Sequence, residues 1–292
     1  MDDILGSRFG FTARPFNPLA DASVFHWSKR HTRACAALEY GLLSGAQFSV
    51  LTGPSGCGKT ALLLRLMTGA GAGFRFVRTD AGLGDSPILA WILQALDAPL
   101  SNRRDTPTAL AALQDQLIED YAAGHTTVIV IDEAHNLSNG DLESLRLLSN
   151  INTASDQLLQ IILSGQPSLR ARLTAPAFAG LAQRINIWAS VDAMDLHGTV
   201  DYIADRLRTA GVAIDLFEPG ALSLIHSATG GIPRQINTLC ELALIFAMPE
   251  DGDRIGVGPI RQVLTEGFFL PVTDDSADDE FRPARLTLAS GT

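Results

Sequence analysis

The sequence predicts an α/β fold built on a parallel five-stranded sheet, followed by an all-helical domain. Three observations carry that expectation. Short apolar segments alternate with helical ones up to about residue 193, as in sheets whose strands are joined by helical crossovers. Residues 128–131 (VIVI) are apolar at every position, the pattern of a strand covered on both faces. Beyond residue 193 only helical periodicity is found.

Taken in order, residues 1–35 are rich in aromatics and proline, with Phe9, Phe11, Pro15, Phe16, Phe25 and Trp27. They predict an irregular segment packed on a domain surface. Residues 31–44 space Ala34, Leu38 and Leu42 as a helix does. Residues 48–52 (FSVLT) form a first strand ending in a glycine-rich loop, and 60–69 a helix that stops near glycine-rich 69–73. A second strand spans 74–79, with helices over 86–97 and 107–122. The third strand is 128–131, then come a helix at 139–151 and strands at 158–163 and 185–189. Helices at 197–210, 218–229, 233–248 and 257–267 complete the pattern. From residue 273 the chain carries Asp274, Asp275, Asp278, Asp279 and Glu280, the composition of a disordered acidic tail. The organisation expected is an N-terminal segment (1–35), an α/β nucleotide-binding domain (36–193), a helical lid (194–270) and the tail (271–292).

Composition bounds the function. Hydrophobic residues make up 46% and charged residues 18%, which suits a chain with a sizeable core. The net charge of -10 repels phosphate backbones, so nucleic acid is not the favoured partner. The three cysteines are far apart and form no zinc-binding spacing, as expected of reduced thiols in a cytoplasm. The start MDDILGSRFGF has no basic region leading into an apolar run, so no signal peptide is expected. No stretch approaches the roughly 18 apolar residues that span a bilayer. These features predict a soluble cytoplasmic protein.

Four motifs carry the chemistry. Gly53-Pro54-Ser55-Gly56-Cys57-Gly58-Lys59-Thr60 fits the P-loop pattern G-x-x-x-x-G-K-[ST], with a strand before it and a helix after it. Its glycines let backbone N–H groups approach phosphate oxygens, and the helix N-terminus adds partial positive charge. Lys59, one of only two lysines, should reach the β- and γ-phosphates of ATP, and the Thr60 hydroxyl should ligate Mg²⁺. Cys57 lies at the same helix N-terminus, where a thiol's pKa tends to fall. That predicts a reactive thiol protected by bound nucleotide, whereas Cys35 and Cys240 lie in apolar helical segments.

The second motif is VIVI followed by Asp132-Glu133, the Walker B pattern. Its strand should deliver Asp132 to Mg²⁺ and place Glu133 to polarise the attacking water. His135 or Asn136 just beyond is placed to hold Glu133 inactive until a partner arrives. The third motif is Leu163-Ser164-Gly165-Gln166-Pro167, at the carboxyl end of the next strand. Parallel sheets present ligand groups there, so Gln166, or Ser164, should orient the lytic water. Arg170, Arg172 and Arg184 follow, and Arg184, just before the fifth strand, is the choice for a cation supplied to a neighbouring subunit. The fourth motif, Gly230-Gly231-Ile232-Pro233-Arg234, marks a helix start. It leaves Arg234 in a first turn that favours acids, a cost that a nearby phosphate would explain.

In order, these segments resemble the ExeA/GspA-type AAA+ ATPases of bacterial secretion. The resemblance covers about residues 9–250. It runs through Phe9-Gly10-Phe11, Pro15-Phe16, Ser28 to His31, Tyr40-Gly41-Leu42, LTGPSGCGKT, VIVIDEAHNLS, IILSGQPSLRARL, LAQRI and GGIPRQINTLCELAL. It implies a P-loop AAA+ core with a C-terminal helical lid, with Arg234 in the sensor-2 position and Gln166 near sensor 1. It also implies assembly into a homo-oligomeric ring or filament and a protein partner in a secretion or cell-envelope system. Secretion members of the family often continue into a transmembrane helix and a peptidoglycan-binding region, which these 292 residues do not contain. Shorter relatives resemble ATPases of transposition (TniB-like) and of exopolysaccharide or exosortase gene clusters. The function expected is therefore an ATP-hydrolysing protein that remodels or assembles a partner. The alternatives are a DNA-associated transposition regulator and a low-turnover nucleotide-dependent scaffold.

Overall fold

A computed structural model describes residues 6, 8–17, 27–81, 88–96, 106–152, 156–249 and 252–271. The acidic tail from residue 273 lies outside them. Two compact units divide the chain: Trp27–Asp192, and Ala193–Thr292 together with Met1–His26.

The first unit opens with α1 (Lys29–Leu43), whose N-cap Ser28 accepts from the His31 backbone N–H. Then come β1 (Phe48–Thr52), α2 (Lys59–Gly69), β2 (Phe74–Asp80), α3 (Ile88–Ala95), α4 (Thr106–Ala122) and β3 (Thr126–Asp132). A single 3₁₀ turn, Ala134–Asn136, leads to α5 (Asn139–Leu148), which starts in a capping box between Ser138 and Asp141. The unit closes with β4 (Leu159–Gly165), α6 (Pro167–Leu173), the short α7 (Ala179–Ala182) and β5 (Ile185–Ser190). The sequence reading has no counterpart for α6 or α7, and its helix at 139–151 ends at Leu148 in a separate 3₁₀ turn, Ser149–Ile151.

All five strands are parallel, in the order β2-β3-β4-β1-β5. Alternate residues of each strand face opposite sides. Phe48, Val50, Ile129, Ile131, Ile161 and Leu163 therefore enter one core with α3, α4 and α5. Leu51, Val128, Val130 and Ile162 enter the other with α1 and α2. Covering both faces is why these strands read as unbroken apolar runs. Each fully buried Leu or Ile contributes about 1.5–3 kcal/mol relative to exposure. The order matters for the site: β4 lies between β1 and β3, so its tip touches what both neighbours deliver.

The second unit holds α8 (Leu196–Thr209), α9 (Pro219–Thr229), α10 (Pro233–Ala247) and α11 (Val257–Thr265). It is not helical throughout: Phe217 and Ile255 form an isolated parallel bridge. Asp195 caps α8, its side chain accepting from Gly198 N–H at 2.8 Å. Gly230 ends α9 in the left-handed region, at φ 56°. Gly231, also left-handed, passes so close to the chain that a Cβ would lie 1.9 Å from the Met194 carbonyl oxygen. Phe16 from the N-terminal segment is buried in this unit's core, edge-on to Phe217 at 6.1 Å.

Candidate functional site

The glycine-rich loop leaves β1 at Gly53, whose N–H donates to the carbonyl of Gly165 on β4 at 3.2 Å. A Cβ at Gly53 would stand 2.2 Å from the Val191 carbonyl oxygen, so nothing larger than glycine fits. Gly56 and Gly58 take φ 81° and 95°, turns that L side chains rarely adopt. Gly58 is the N-cap of α2 and supplies no side-chain cap, and the first turn holds no acid. The amides of that turn are thus left for an anion. Lys59 is only 5% exposed, and its Nζ donates to the carbonyls of Gly53 at 2.9 Å and Pro54 at 3.0 Å. The ammonium is held over the loop by groups that an anion can displace.

Asp132, at the end of β3, is the hub. Its Oδ2 accepts from Thr60 Oγ1 at 2.6 Å. Its Oδ1 accepts from Ser164 Oγ at 2.8 Å and from the Glu133 N–H at 3.0 Å. A hydroxyl and a buried carboxylate at this separation form a hard oxygen donor pair that suits Mg²⁺. Ser164, at the β4 tip and fully buried, is thereby the β4 residue in direct contact with Asp132.

Glu133 is the one non-glycine residue with positive φ, 51°, among those described. That left-handed posture costs about 1–3 kcal/mol and is over-determined by its surroundings. Its Oε2 lies 3.4 Å from His135 Nδ1, and the same nitrogen faces the Gln166 N–H at 3.5 Å. One ring nitrogen cannot serve both: it accepts from Gln166 when bare and pairs with Glu133 when protonated. His135 is the neighbour that reaches the Glu133 carboxylate, whereas Asn136 donates its backbone N–H to the Glu133 carbonyl at 2.9 Å. Gln166 enters the site through its backbone, as N-cap of α6.

The arginines have partners inside the chain. Arg184 donates to the Arg146 carbonyl at 3.1 Å and to Ser149 Oγ. Arg172 donates to the Leu137 carbonyl at 2.6 Å and to Asn139 Oδ1 at 2.6 Å, bracing the segment after Glu133. The Arg170 guanidinium lies 5.2 Å from the centre of the Trp188 ring. Arg234 is exposed in the first turn of α10, within the second unit.

Cys57 differs from expectation. Its side chain is 1% exposed, and burial pushes the thiol pKa up, with the Lys59 charge opposing only in part. Desolvation of a thiolate outweighs the helix N-terminus here. Its carbonyl is 2.9 Å from Nε2 of buried His31, whose Nδ1 is 2.7 Å from Ser28 Oγ. This brace from α1 escapes sequence reasoning, because His31 joins the loop only through the fold. Arg78 and Asp80 escape it too. They look like polar residues of an edge strand, yet Arg78 Nη2 stands 3.6 Å from Asp132 Oδ2.

Residues 42–173 match the AAA domain family, a nucleotide-binding family. Over 258 residues the chain is 37% identical to General secretion pathway protein A of Aeromonas hydrophila. That match takes in 86% of this chain and 46% of the relative, so the chain spans less than half of the relative's length. Two solved structures share the P-loop AAA+ fold. Cdc6p of Pyrobaculum aerophilum superposes with a TM-score of 0.65 at 18% identity, covering 87% of this chain and 73% of that one. The ORC2 protein of Aeropyrum pernix, in ADPNP–ADP complexes, gives 0.62 at 18% identity, covering 88% and 72%.

Proposed function

This chain is an AAA-domain protein related to General secretion pathway protein A, and from that premise we propose that it binds ATP with Mg²⁺ and hydrolyses it to drive assembly or remodelling of a partner. The observation that carries the reading is the meeting of Thr60, Asp132 and Ser164 beside the glycine-rich loop. A relative of the same fold with ADPNP and ADP bound supports it.

In this reading the loop amides of residues 55–60 wrap the phosphates. Lys59 exchanges the Gly53 and Pro54 carbonyls for the β- and γ-phosphate oxygens. Thr60 and Asp132 would hold Mg²⁺, which would supply positive charge to the phosphoryl group being transferred. Glu133 takes the proton of the attacking water, and Ser164 or Gln166 orients that water. Arg184 serves the site of a neighbouring copy once released from Ser149, and Arg234 reads the phosphates from the helical lid.

The relative is named as a secretion-pathway protein; in this reading the partner is a secretion or envelope component, and the chain acts from the cytoplasm as a homo-oligomer. Among the described residues no helix is long and apolar enough to cross a membrane. Calorimetric titration with Mg-ATP and single-turnover phosphate release on wild type and Glu133→Gln test the proposal. Both proteins should bind ATP, and Glu133→Gln should release phosphate about 10²–10⁴-fold more slowly. A wild type that binds without turnover would leave only a scaffold; one that does not bind would end the reading.

A further inference from the structure

β2 brings a second pair of charges to the edge where Asp132 sits. Asp80 stands opposite Asp132 in the β2–β3 register, and Arg78 opposite Val130. Residues two apart on a strand share a face, so Arg78 and Asp80 lie side by side next to the Asp132 carboxylate. Arg78 Nη2 is 3.2 Å from Asp80 Oδ1 and 3.6 Å from Asp132 Oδ2. The first is a hydrogen bond; the second is too long for one and acts through charge alone.

The two carboxylates differ in their need for a counter-charge. The Asp132 side chain is 3% exposed, and that of Asp80 is 46% exposed. A buried carboxylate without a cation is costly, whereas an exposed one is solvated. Lys59 does not fill the need, since its ammonium is spent on the Gly53 and Pro54 carbonyls. Arg78 fills it incompletely, and at a cost: its Nε is buried with no hydrogen-bond partner. A guanidinium with one orphaned donor, one real hydrogen bond and one long charge contact sits between two arrangements.

Resting on the nucleotide-site reading above, we propose that Arg78 is a place-holding cation, which neutralises Asp132 while the site is metal-free and moves fully onto Asp80 when Thr60 and Asp132 take a divalent cation. Two positive charges cannot both face Asp132 Oδ2 at contact distance without strong repulsion. Asp80 gives Arg78 a landing place one register position away. Arg78 is thus a positioning residue that sets how tightly the site takes metal. It also adds a positive charge beside a buried carboxylate that otherwise has only the Thr60, Ser164 and Glu133 N–H hydrogen bonds.

The proposal predicts effects of opposite sign from two changes on one strand. Mn²⁺ binding to the full chain with ADP present, followed by the loss of free Mn²⁺ paramagnetic resonance signal, is the readout. Arg78→Gln removes the competing charge and should tighten Mn²⁺ about fivefold, the scale of a partly exposed pair. Arg78→Lys restores a charge and should return the affinity toward wild type. Asp80→Asn, at an exposed position, removes the landing place and should weaken Mn²⁺ by about threefold. Mn²⁺ affinity that is unchanged or weaker in Arg78→Gln overturns the proposal. Equal weakening in Arg78→Gln and Asp80→Asn also does, since it marks a phosphate contact or a merely structural role. Binding of fluorescent ADP without metal separates the two readings. A wild type that fails to bind it sinks the nucleotide site itself. A wild type that binds ADP and Mn²⁺, with unshifted variants, sinks only the place-holding role.

Discussion

Thr60 on α2 and Asp132 on β3 are joined by a 2.6 Å hydrogen bond across 72 residues of chain. The bond ties the exit of the loop to the strand that carries the acidic pair. Thr60→Val keeps the shape of the side chain and removes the hydroxyl. It should leave metal-free ADP affinity within about twofold and weaken the Mg²⁺-dependent gain by roughly tenfold, the value of one charge-assisted bond. Parallel titrations with Mg²⁺ and with a chelator measure this, and an unchanged Mg²⁺ gain would remove Thr60 from the metal site.

Lys59 is buried and already desolvated, so its ammonium meets a phosphate with little further loss of hydration. Lys59→Ala should raise the Kd for ATP at least about 30-fold, the cost of truncating one partner of a buried charge pair. The variant should also melt at a somewhat lower temperature, because the buried Gly53 carbonyl loses its donor. Calorimetry and a thermal melt together check both halves.

Arg184 ties the start of β5 to the end of α5. If it also acts on a neighbouring copy, Arg184→Ala should bind ATP yet stay inactive. Mixing it with Glu133→Gln should restore some phosphate release at mixed interfaces. Absence of recovery at every ratio, with co-assembly shown by light scattering, would confine Arg184 to its internal contacts.

Burial and the neighbouring Glu39 carboxylate push the Cys35 thiol up from 9.0 to about 11. The folded chain then holds this proton more tightly than the unfolded chain. Its contribution to stability is complete below pH 9 and is lost as pH rises toward 11. Urea unfolding at several pH values should show a shallower alkaline loss in Cys35→Ala than in wild type. Parallel curves would show that the thiol does not titrate differently on folding. By the same physics Cys57, raised by burial, should alkylate slowly at neutral pH even without nucleotide.

Gly231 combines positive φ with a carbonyl where a Cβ would stand. Gly231→Ala should cost more than about 3 kcal/mol in unfolding free energy, since strain and steric overlap add. A loss below about 1 kcal/mol would mean that the α9–α10 turn relaxes freely.

The sheet is legible in the sequence because β1, β3 and β4 are buried on both faces and so carry unbroken apolar runs. The loop is legible because phosphate-binding geometry demands glycine at fixed spacing. What escapes is contact made through topology. Strand order decides that Ser164, rather than the Gln166 side chain, touches Asp132, and no local pattern encodes that order. His31 and Arg78 reach the site from neighbouring elements, so each looks like an ordinary polar residue in its own segment. Cys57 misleads for a related reason: its position on the helix is readable, but the packing that buries it is not.

The tight passage at Gly53 has a mechanical consequence. The entrance of the loop is wedged between the Gly165 and Val191 carbonyls and cannot swing, whereas Gly56 and Gly58 sit in conformations that glycine leaves freely. The loop is therefore a cantilever, clamped at the sheet and jointed near its far end. On the proposed reading, displacement caused by a phosphate arriving or leaving would run forward into α2. In the proposed nucleotide cycle, the axis of that helix, rather than the strands, is the lever that loop movement would turn.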